Sequence, residues 1–350
     1  MLVRALPSTS RVFTLILSSS SRLTICFRKR YRSTSMTRET GLRDFNSGTK
    51  KSVNFRLCNV SSHTTELLEI QADDPTFHVL FIPGNPGVIT FYKEFVESLY
   101  ELLGGNASVT AIGHISHTKK DWERGKLFSL EEQIDHKMDF VKQELQNREV
   151  PIVLVGHSIG SYISLEMLRR STEKVIYCIG VYPFLAVNQY SRTQSHIRKI
   201  AASPILSVII CLLVALLGLL PVWASRLIVS KSVGISWSAT AVDATCTHLR
   251  QYHTMRNVLF MAMTEFKELS KTPNWTFMRE NQHKISFLYG IDDHWGPMYM
   301  FNEISKQAPK ISLSVEGEGH THAFCCTEAG SLWVAHHVTS LIEKKISGQT

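Results

Sequence analysis

Residues 151–160, PIVLVGHSIG, decide the fold of this chain. The apolar run Pro151-Ile152-Val153-Leu154-Val155 predicts a buried strand, and it leads directly into Gly156-His157-Ser158-Ile159-Gly160, a G-x-S-x-G sequence. A helix is predicted from Ser161 to about Arg170. In a strand-turn-helix elbow of this kind the serine has a strained backbone angle, and the glycines leave room for neighbouring chain. The pattern therefore predicts a nucleophile at Ser158.

Strands and helices alternate on both sides of the elbow. Apolar runs predict strands at 78–82, 109–112, 175–181, 284–290 and 310–315, and helical spacing predicts helices at 91–103, 130–145 and 332–346. Residues 39–76 are polar with short apolar patches, which is typical of one or two antiparallel edge strands. The β-α-β alternation implies an α/β fold with a mostly parallel sheet and right-handed crossovers.

Residues 184–283 are predicted to form a cap inserted between two strands of this sheet. Within the cap, residues 205–220 carry no charge, whereas Arg198, Lys199, Arg226 and Lys231 flank them. One interpretation is a buried cap helix. The run is shorter than the roughly 20 residues of a spanning helix, but it is apolar on every side. We therefore favour a segment that enters one leaflet of a lipid surface while the flanking cations meet anionic head groups.

A serine hydroxyl needs a histidine to take its proton and a carboxylate to orient that histidine. In this arrangement the chain order is serine, acid, histidine, and two aspartates follow the predicted strand at 284–290. Asp293 fits the G-x-x-D spacing from Gly290, and Asp292 remains the alternative.

The glycine-rich loop at 316–324 carries two candidate bases, His320 and His322. We choose His322, because the small and aromatic residues that follow it begin a packed segment that would hold it in place. His320 is then a solvated loop histidine, and His157 beside the nucleophile is expected to be structural or to line the site.

The oxyanion intermediate needs two backbone N–H donors. The residue after the nucleophile, Ile159, supplies one, and the loop 83–87 after an early strand supplies the other. Pro86 has no N–H, so we assign the second donor to Asn85. Loss of one such donor costs about 3 kcal/mol in the barrier.

The net charge of +8 is a property of the first 38 residues. This leader (1–38) holds eight Lys and Arg and no acidic residue, and the remaining chain has 30 basic and 30 acidic residues. A neutral body argues against binding to nucleic acid. The Ser, Arg and Thr content of the leader is typical of a mitochondrial transit peptide, although Met36 is an alternative start of the mature chain.

The pattern of cysteines and histidines predicts neither a metal nor another cofactor. Seven cysteines without a CxxC pair indicate a reducing compartment. The H-x-H sequence at His320 and His322 has no further ligands at metal-binding spacing. A serine, a histidine and a carboxylate supply the acid–base chemistry without a cofactor.

Four stretches between about residues 76 and 345 resemble the lipid droplet-associated hydrolase family of the α/β-hydrolase superfamily. They are PGNPG at 83–87, GHSIG at 156–160, DHWGP at 293–297 and HAF at 322–324. The resemblance implies an α/β-hydrolase core at 39–183 and 284–350 with a large apolar cap. It also implies a triad of Ser158, Asp293 and His322.

The same resemblance implies a serine hydrolase of lipid esters, with sterol esters as the suspected substrates. It places the protein on lipid droplets and on the cytosolic face of the endoplasmic reticulum, with the apolar insertion as the targeting element; targeting to mitochondria by the leader is the alternative. Two other functions stay open. The fold could serve a lipid-droplet binding or regulatory protein, because fold does not establish function. An acyltransferase would share the acyl-enzyme step.

Overall fold

One sheet of eight strands forms the centre of the described chain. The computed structural model describes residues 51–145, 150–171, 173–232 and 236–348, so the leader lies outside the described residues. The strands are β1 (Asn54–Val60), β2 (His63–Ile70), β3 (Phe77–Ile82), β4 (Ala107–Ile112), β5 (Ile152–His157), β6 (Val175–Val181), β7 (Ile285–Gly290) and β8 (Ser312–Glu316).

The order across the sheet is β1-β2-β4-β3-β5-β6-β7-β8. The pairs β1·β2 and β2·β4 are antiparallel, and every other neighbouring pair is parallel. The predicted α/β class, with a mostly parallel sheet and antiparallel edge strands, is confirmed. The elbow follows β5, near the middle of the sheet, where strand ends from both sides can bring side chains together.

Eleven α-helices accompany the sheet in the described ranges. They are α1 (Lys93–Leu102), α2 (Leu130–Phe140), α3 (Ile159–Arg170), α4 (Arg192–Ala202), α5 (Pro204–Gly218), α6 (Val222–Ser232), α7 (Ala239–Ala244), α8 (Tyr252–Glu268), α9 (Trp275–Glu280), α10 (Met298–Gln307) and α11 (Glu328–Ile346). Helices α1 and α11 pack on one face of the sheet, and α2, α3 and α10 pack on the other. Both faces of the sheet are therefore covered by helices.

The central strands are apolar throughout because both of their faces are buried. Val153 and Val155 of β5 belong to the core cluster beneath α1 and α11, while Leu154 belongs to the cluster beneath α2 and α3. All six residues of β5 are buried. This is the expected pattern of a strand in a parallel sheet covered by helices.

Several predicted helix ends were wrong by a few residues. The helix after the elbow begins at Ile159 rather than Ser161, directly after the strained serine. The last helix begins at Glu328 rather than at 332, because the Thr327 hydroxyl accepts a hydrogen bond from the Gly330 N–H and caps it earlier. The helix predicted at 130–145 has the predicted ends, with α-helical geometry to Phe140 and π-helical geometry over Val141–Leu145.

The segment between β6 and β7 folds into α4 to α9, and α8 joins it to the core. The Leu130 N–H of α2 donates to the Thr264 hydroxyl at 3.0 Å, and the Phe128 N–H donates to Asn257 Oδ1 at 3.0 Å. Helices α4 and α5 pack against α8. Helix α8 is thus anchored to the core that surrounds the sheet and supports the rest of the insertion.

Helix α5, which carries the apolar run predicted at 205–220, has one buried side and one exposed side. Ile210, Cys211 and Val214 are buried against α8. The opposite side is exposed, and the exposure continues onto α6; we call this surface the apolar face, formed by Ile205, Leu206, Val208, Ile209, Leu212, Leu213, Leu216, Leu219, Val222, Trp223, Leu227 and Ile228. An exposed apolar surface of this extent is typical of an interaction site.

None of the described helices is both long enough and apolar enough to cross a membrane alone. Together α4 and α5 have the length and composition of a span, but they are bent by 96° relative to each other.

The C-terminal end of α5 is held by the rest of the insertion, since Arg250 Nη2 donates to the Gly218 carbonyl at 2.7 Å. A cation at this end also interacts favourably with the helix dipole.

Candidate active site

Ser158 forms the turn between β5 and α3. Its φ of 55° and ψ of −122° lie in a region that residues other than glycine rarely occupy. Two hydrogen bonds of 3.1 Å hold the backbone there: the Ser158 N–H donates to the Val181 carbonyl, and the Phe184 N–H donates to the Ser158 carbonyl. Backbone strain of this kind persists only where the surroundings enforce it, and it is typical of a nucleophile elbow.

Gly156 and Gly160 permit the close packing of the elbow. A Cβ atom at Gly156 would collide with the backbone carbonyl of Gly160, and a Cβ atom at Gly160 would collide with the carbonyl of Ile82 on β3. Both obstacles are backbone atoms, so no side-chain movement relieves them. The spacing of the two glycines in the sequence therefore has a direct steric cause.

Asp293 and His322 meet at the ends of β7 and β8. The distance from His322 Nδ1 to Asp293 Oδ2 is 2.8 Å, and the Trp295 N–H donates to Asp293 Oδ1, also at 2.8 Å. The Asp293 side chain is 1% exposed. Because a carboxylate accepts hydrogen bonds, it favours the tautomer with the proton on Nδ1 and leaves His322 Nε2 as a proton acceptor.

The two alternatives considered from the sequence lie elsewhere. Asp292 is exposed. The ring of His320 packs against Trp333, with 5.7 Å between ring centroids. The geometry favours Asp293 as the acid and His322 as the base.

Within the ranges given above, no group of three or more His, Cys, Asp or Glu side chains is arranged to hold a metal ion.

Ser158 and His322 line the same cavity. No hydrogen bond between the Ser158 hydroxyl and the His322 ring occurs among the described residues. Such contacts are often long in the absence of substrate and shorten when it binds. Ser158 and His322 thus share the cavity, and the buried Asp293 carboxylate contacts His322 from behind the cavity wall.

His157, next to the nucleophile, connects the two loops of the site. Its Nε2 lies 2.9 Å from the His322 carbonyl oxygen, which can only accept, so Nε2 carries the proton. Its Nδ1 therefore accepts from the Tyr92 hydroxyl at 2.7 Å, and the Tyr92 oxygen accepts from the Gly84 N–H at 3.1 Å. Burial, with the nearby His322 acting in the same direction, lowers the pKa of His157 well below its usual value, which keeps the ring neutral.

The predicted oxyanion donors are the N–H groups of Ile159 and Asn85. Ile159 is the first residue of α3, so its N–H has no partner within the helix. The Asn85 N–H donates to no described residue. The loop passes directly over Ser158, because a Cβ atom built on Gly84 would lie 3.0 Å from Ser158 Cβ. Asn85, the next residue, lines the cavity.

The cavity over Ser158 has a volume of about 100 Å³. Its walls are mainly apolar and come from both the core and the insertion; they include Phe91, Phe184, Ile197, Leu259, Ala262 and Trp295. An apolar wall suits an acyl chain, and the exclusion of water strengthens hydrogen bonds to a developing oxyanion.

Two polar residues of the cavity were missed by the sequence analysis. Tyr92 ends a short 3₁₀ turn, and no local motif marks it. Glu265 is a carboxylate on the otherwise mostly apolar stretch 258–266 of α8, which is a signal that could have been noticed. Burial raises the pKa of Glu265 to about 8, although the hydrogen bond from Asn85 acts in the opposite direction. At neutral pH this wall of the cavity is therefore mostly uncharged.

A family comparison places the chain among known proteins. Residues 75–325 match the model described as lipid-droplet associated hydrolase. The chain belongs to the lipid droplet-associated hydrolase family. Relatives of that name from Gallus gallus and Dictyostelium discoideum are 28% and 27% identical to it. The alignments cover 71% and 74% of this chain, and 80% and 86% of those relatives.

Solved structures with the same architecture are more distant in sequence. A haloalkane dehalogenase from Bradyrhizobium elkani matches with a TM-score of 0.64 and 14% identity, over 85% of this chain and all of the other. A soluble variant of monoglyceride lipase from Saccharomyces cerevisiae matches with a TM-score of 0.59 and 12% identity, over 87% of this chain and 99% of the other. These likenesses concern the fold alone. This member of the lipid droplet-associated hydrolase family has the α/β-hydrolase fold, as predicted.

Proposed function

We propose that the chain is a serine hydrolase of lipid esters that acts through Ser158, His322 and Asp293. One observation carries the proposal: His322 lines the same cavity as Ser158, and its Nδ1 lies 2.8 Å from Oδ2 of the buried Asp293. A nucleophile, a base and an orienting acid on three different loops are the groups that acyl transfer requires.

In the proposed reaction the Ser158 oxygen bonds to the ester carbonyl carbon while its proton passes to His322 Nε2. The carbonyl oxygen becomes negative, and the N–H groups of Ile159 and Asn85 stabilise it. The C–O bond to the alcohol then breaks, and the alcohol leaves with the proton from His322. Water repeats the sequence on the acyl-enzyme and releases the acid, so Ser158 is regenerated.

The substrates that we propose are esters of lipid droplets, sterol esters first among them. Relatives of the chain are named for association with lipid droplets. The mainly apolar walls of the cavity, to which α4 contributes Ile197 and α8 contributes Leu259, suit the acyl chain of such an ester.

A panel of esters tests the substrate assignment. We expect hydrolysis of p-nitrophenyl butyrate in solution, and hydrolysis of cholesteryl oleate only on phospholipid-coated droplets. Release of fatty acid is measured for wild type, with Ser158→Ala as the blank. Serine-dependent cleavage of trioleoylglycerol but not of cholesteryl oleate would contradict the sterol assignment. Equal cleavage of cholesteryl oleate in detergent micelles and on droplets would contradict the surface requirement.

The apolar face is the part of the molecule that we propose to contact lipid, on droplets and on the cytosolic side of the endoplasmic reticulum. Its side chains are exposed on α5 and α6, whereas the opposite side of α5 packs on α8. Arg198, Lys199 and Lys231, which flank the apolar run along the chain, are also exposed. This arrangement suits a monotopic contact with one leaflet and its anionic head groups.

Introducing two glutamates on the apolar face, at Ile205 and Leu216, should release the protein from droplets. Ile205 and Leu216 are 73% and 60% exposed, so Glu at both positions leaves the core packing unchanged. Because each buried aliphatic side chain contributes about 1.5–3 kcal/mol, we expect the partition coefficient to fall by at least about tenfold. Flotation with artificial droplets measures it. Leu332→Glu, on the exposed side of α11, is the matched control, and an equal loss in both variants would contradict the assignment.

A further inference from the structure

The Asn85 side chain is held by the insertion. Its Nδ2 donates to the Val258 carbonyl at 3.0 Å and to Glu265 Oε1 at 2.9 Å. Both acceptors belong to α8. Asn85 Oδ1 is buried and has no hydrogen-bond partner among the described residues. This orientation of the amide is favoured, because reversal would place its oxygen against the Val258 carbonyl oxygen, which can only accept.

An unpaired buried acceptor is unfavourable, and native structures retain few of them. Here the unpaired oxygen of Asn85 accompanies two good hydrogen bonds from the nitrogen of the same amide. A shorter or apolar side chain would avoid the unpaired oxygen but would leave the loop unattached to α8. The Asn85 side chain therefore attaches the loop at 83–87 to α8 and leaves one buried oxygen unpaired.

The loop at 83–87 is attached at three points. The Gly84 N–H donates to the Tyr92 hydroxyl at one end. At the other end, the Gly87 N–H donates to His117 Nδ1 at 2.8 Å and the Gly87 carbonyl accepts from the His114 N–H at 3.0 Å. Between these ends, the Asn85 side chain is the attachment, and the Asn85 N–H is the proposed oxyanion donor. A movement of the Asn85 side chain would therefore move this donor.

We propose that Glu265 is a positioning residue of the oxyanion hole: with the Val258 carbonyl, its carboxyl group holds the Asn85 amide and so keeps the Asn85 N–H directed at the developing oxyanion. The inference rests on the proposed function, because it requires Asn85 to be an oxyanion donor. Glu265 acts through Asn85 and need not touch the substrate.

The protonation state of Glu265 gives this role a pH dependence. Burial raises its pKa to about 8, so the group is mostly neutral at pH 7 and ionises as the pH rises further. An ionised Glu265 places negative charge in the cavity where the oxyanion develops, and the rate should fall. The titratable groups that face it across the cavity are His157, His322, Tyr92, Cys325 and Cys326. On the insertion side, α4 contributes the apolar Ile197.

The test compares three full-length variants on p-nitrophenyl butyrate. Glu265→Leu removes the acceptor, and we expect kcat to fall by about tenfold or more with little change in KM, because a misplaced donor weakens binding of the transition state. Glu265→Gln keeps an acceptor oxygen, and we expect kcat near that of wild type at neutral pH. Glu268→Gln, one turn later on α8 and outside the cavity lining, is the matched control.

The pH dependence of kcat provides a second test, which does not require Glu265→Leu to fold. We expect kcat of wild type to decline as the pH rises through about 8, and this decline to be absent in Glu265→Gln. An unchanged kcat in folded Glu265→Leu, an effect on KM alone, or the same alkaline decline in Glu265→Gln would overturn the inference. If wild type shows no Ser158-dependent hydrolysis at all, the proposed function fails as well, which distinguishes the two failures.

Discussion

Replacing Ser158 by alanine is expected to lower kcat for ester hydrolysis by a factor on the order of 10⁶, because no other group can form the acyl-enzyme. The substitution removes one oxygen atom from a residue whose backbone is held by Val181 and Phe184. Alanine also relieves none of the constraints on the elbow, so the fold should be retained. Steady-state hydrolysis of p-nitrophenyl butyrate measures the loss.

Ser164→Ala is the matched control for this loss. Ser164 is a buried serine of α3, and its hydroxyl donates to the Gly160 carbonyl at 2.7 Å, outside the cavity lining. Its loss should affect stability by about 1 kcal/mol and kcat much less. A folded Ser158→Ala protein with wild-type activity would contradict Ser158 as the nucleophile, whereas no hydrolysis by either protein would leave a lipid-droplet binding or regulatory protein as the better description of the chain.

Replacing Asp293 by asparagine is expected to lower kcat by about 10⁴-fold, because the base would be held in the wrong tautomer. Asn Oδ1 can still accept from the Trp295 N–H, which leaves the amide NH₂ facing His322 Nδ1. Nδ1 then accepts a hydrogen bond from this amide, the ring proton lies on Nε2, and His322 can no longer deprotonate Ser158. Substrate binding should change little, so the effect is expected in kcat.

Asp292→Asn is the control for Asp293→Asn. It shows whether removal of any carboxylate after β7 lowers kcat, or only removal of the one at Asp293. Asp292 is exposed, and a substitution there should change kcat by no more than about twofold. The opposite result, with Asp292→Asn inactive and Asp293→Asn active, would assign the acid to the alternative considered from the sequence. It would also require a rearranged loop, since Asp293 is the residue in contact with His322.

The sheet and the elbow could be predicted because their signals are local. A buried parallel strand must be apolar on both faces, and the elbow needs its glycines at fixed spacing, so PIVLVGHSIG contains both requirements. Helix ends were less predictable. The start of α11 depends on its N-cap, the Thr327 hydroxyl. The change from α-helix to π-helix at Val141 has no obvious signal in the sequence.

The choice between neighbouring candidates depends on tertiary structure. Spacing favoured Asp293, the packed segment that follows His322 favoured that histidine, and the 2.8 Å contact between them agrees with both choices. The links from Tyr92 to His157 and from Glu265 to Asn85 join residues 65 and 180 positions apart. Neither a periodicity nor a short motif predicts contacts between residues so far apart in the sequence. Tyr92 and Glu265 can therefore be assigned to the site only from the folded structure.

The sidedness of α5 also required the structure. Sixteen uncharged residues gave no indication of which side packs on protein. The partner is α8, through Ile210, Cys211 and Val214, and the other side remains exposed. A helix that is apolar all round can therefore pack on the protein core with one side and leave an apolar surface exposed on the other.

Covalent labelling with a fluorophosphonate tests the central claim most directly, since the reagent reacts only with an activated serine nucleophile. The full-length protein is labelled, digested and mapped by mass spectrometry beside Ser158→Ala and Asp293→Asn. The account predicts a single labelled residue, Ser158, with labelling abolished in the first variant and strongly slowed in the second. Folded wild-type protein that takes up no label, or takes it up at another serine, would contradict it.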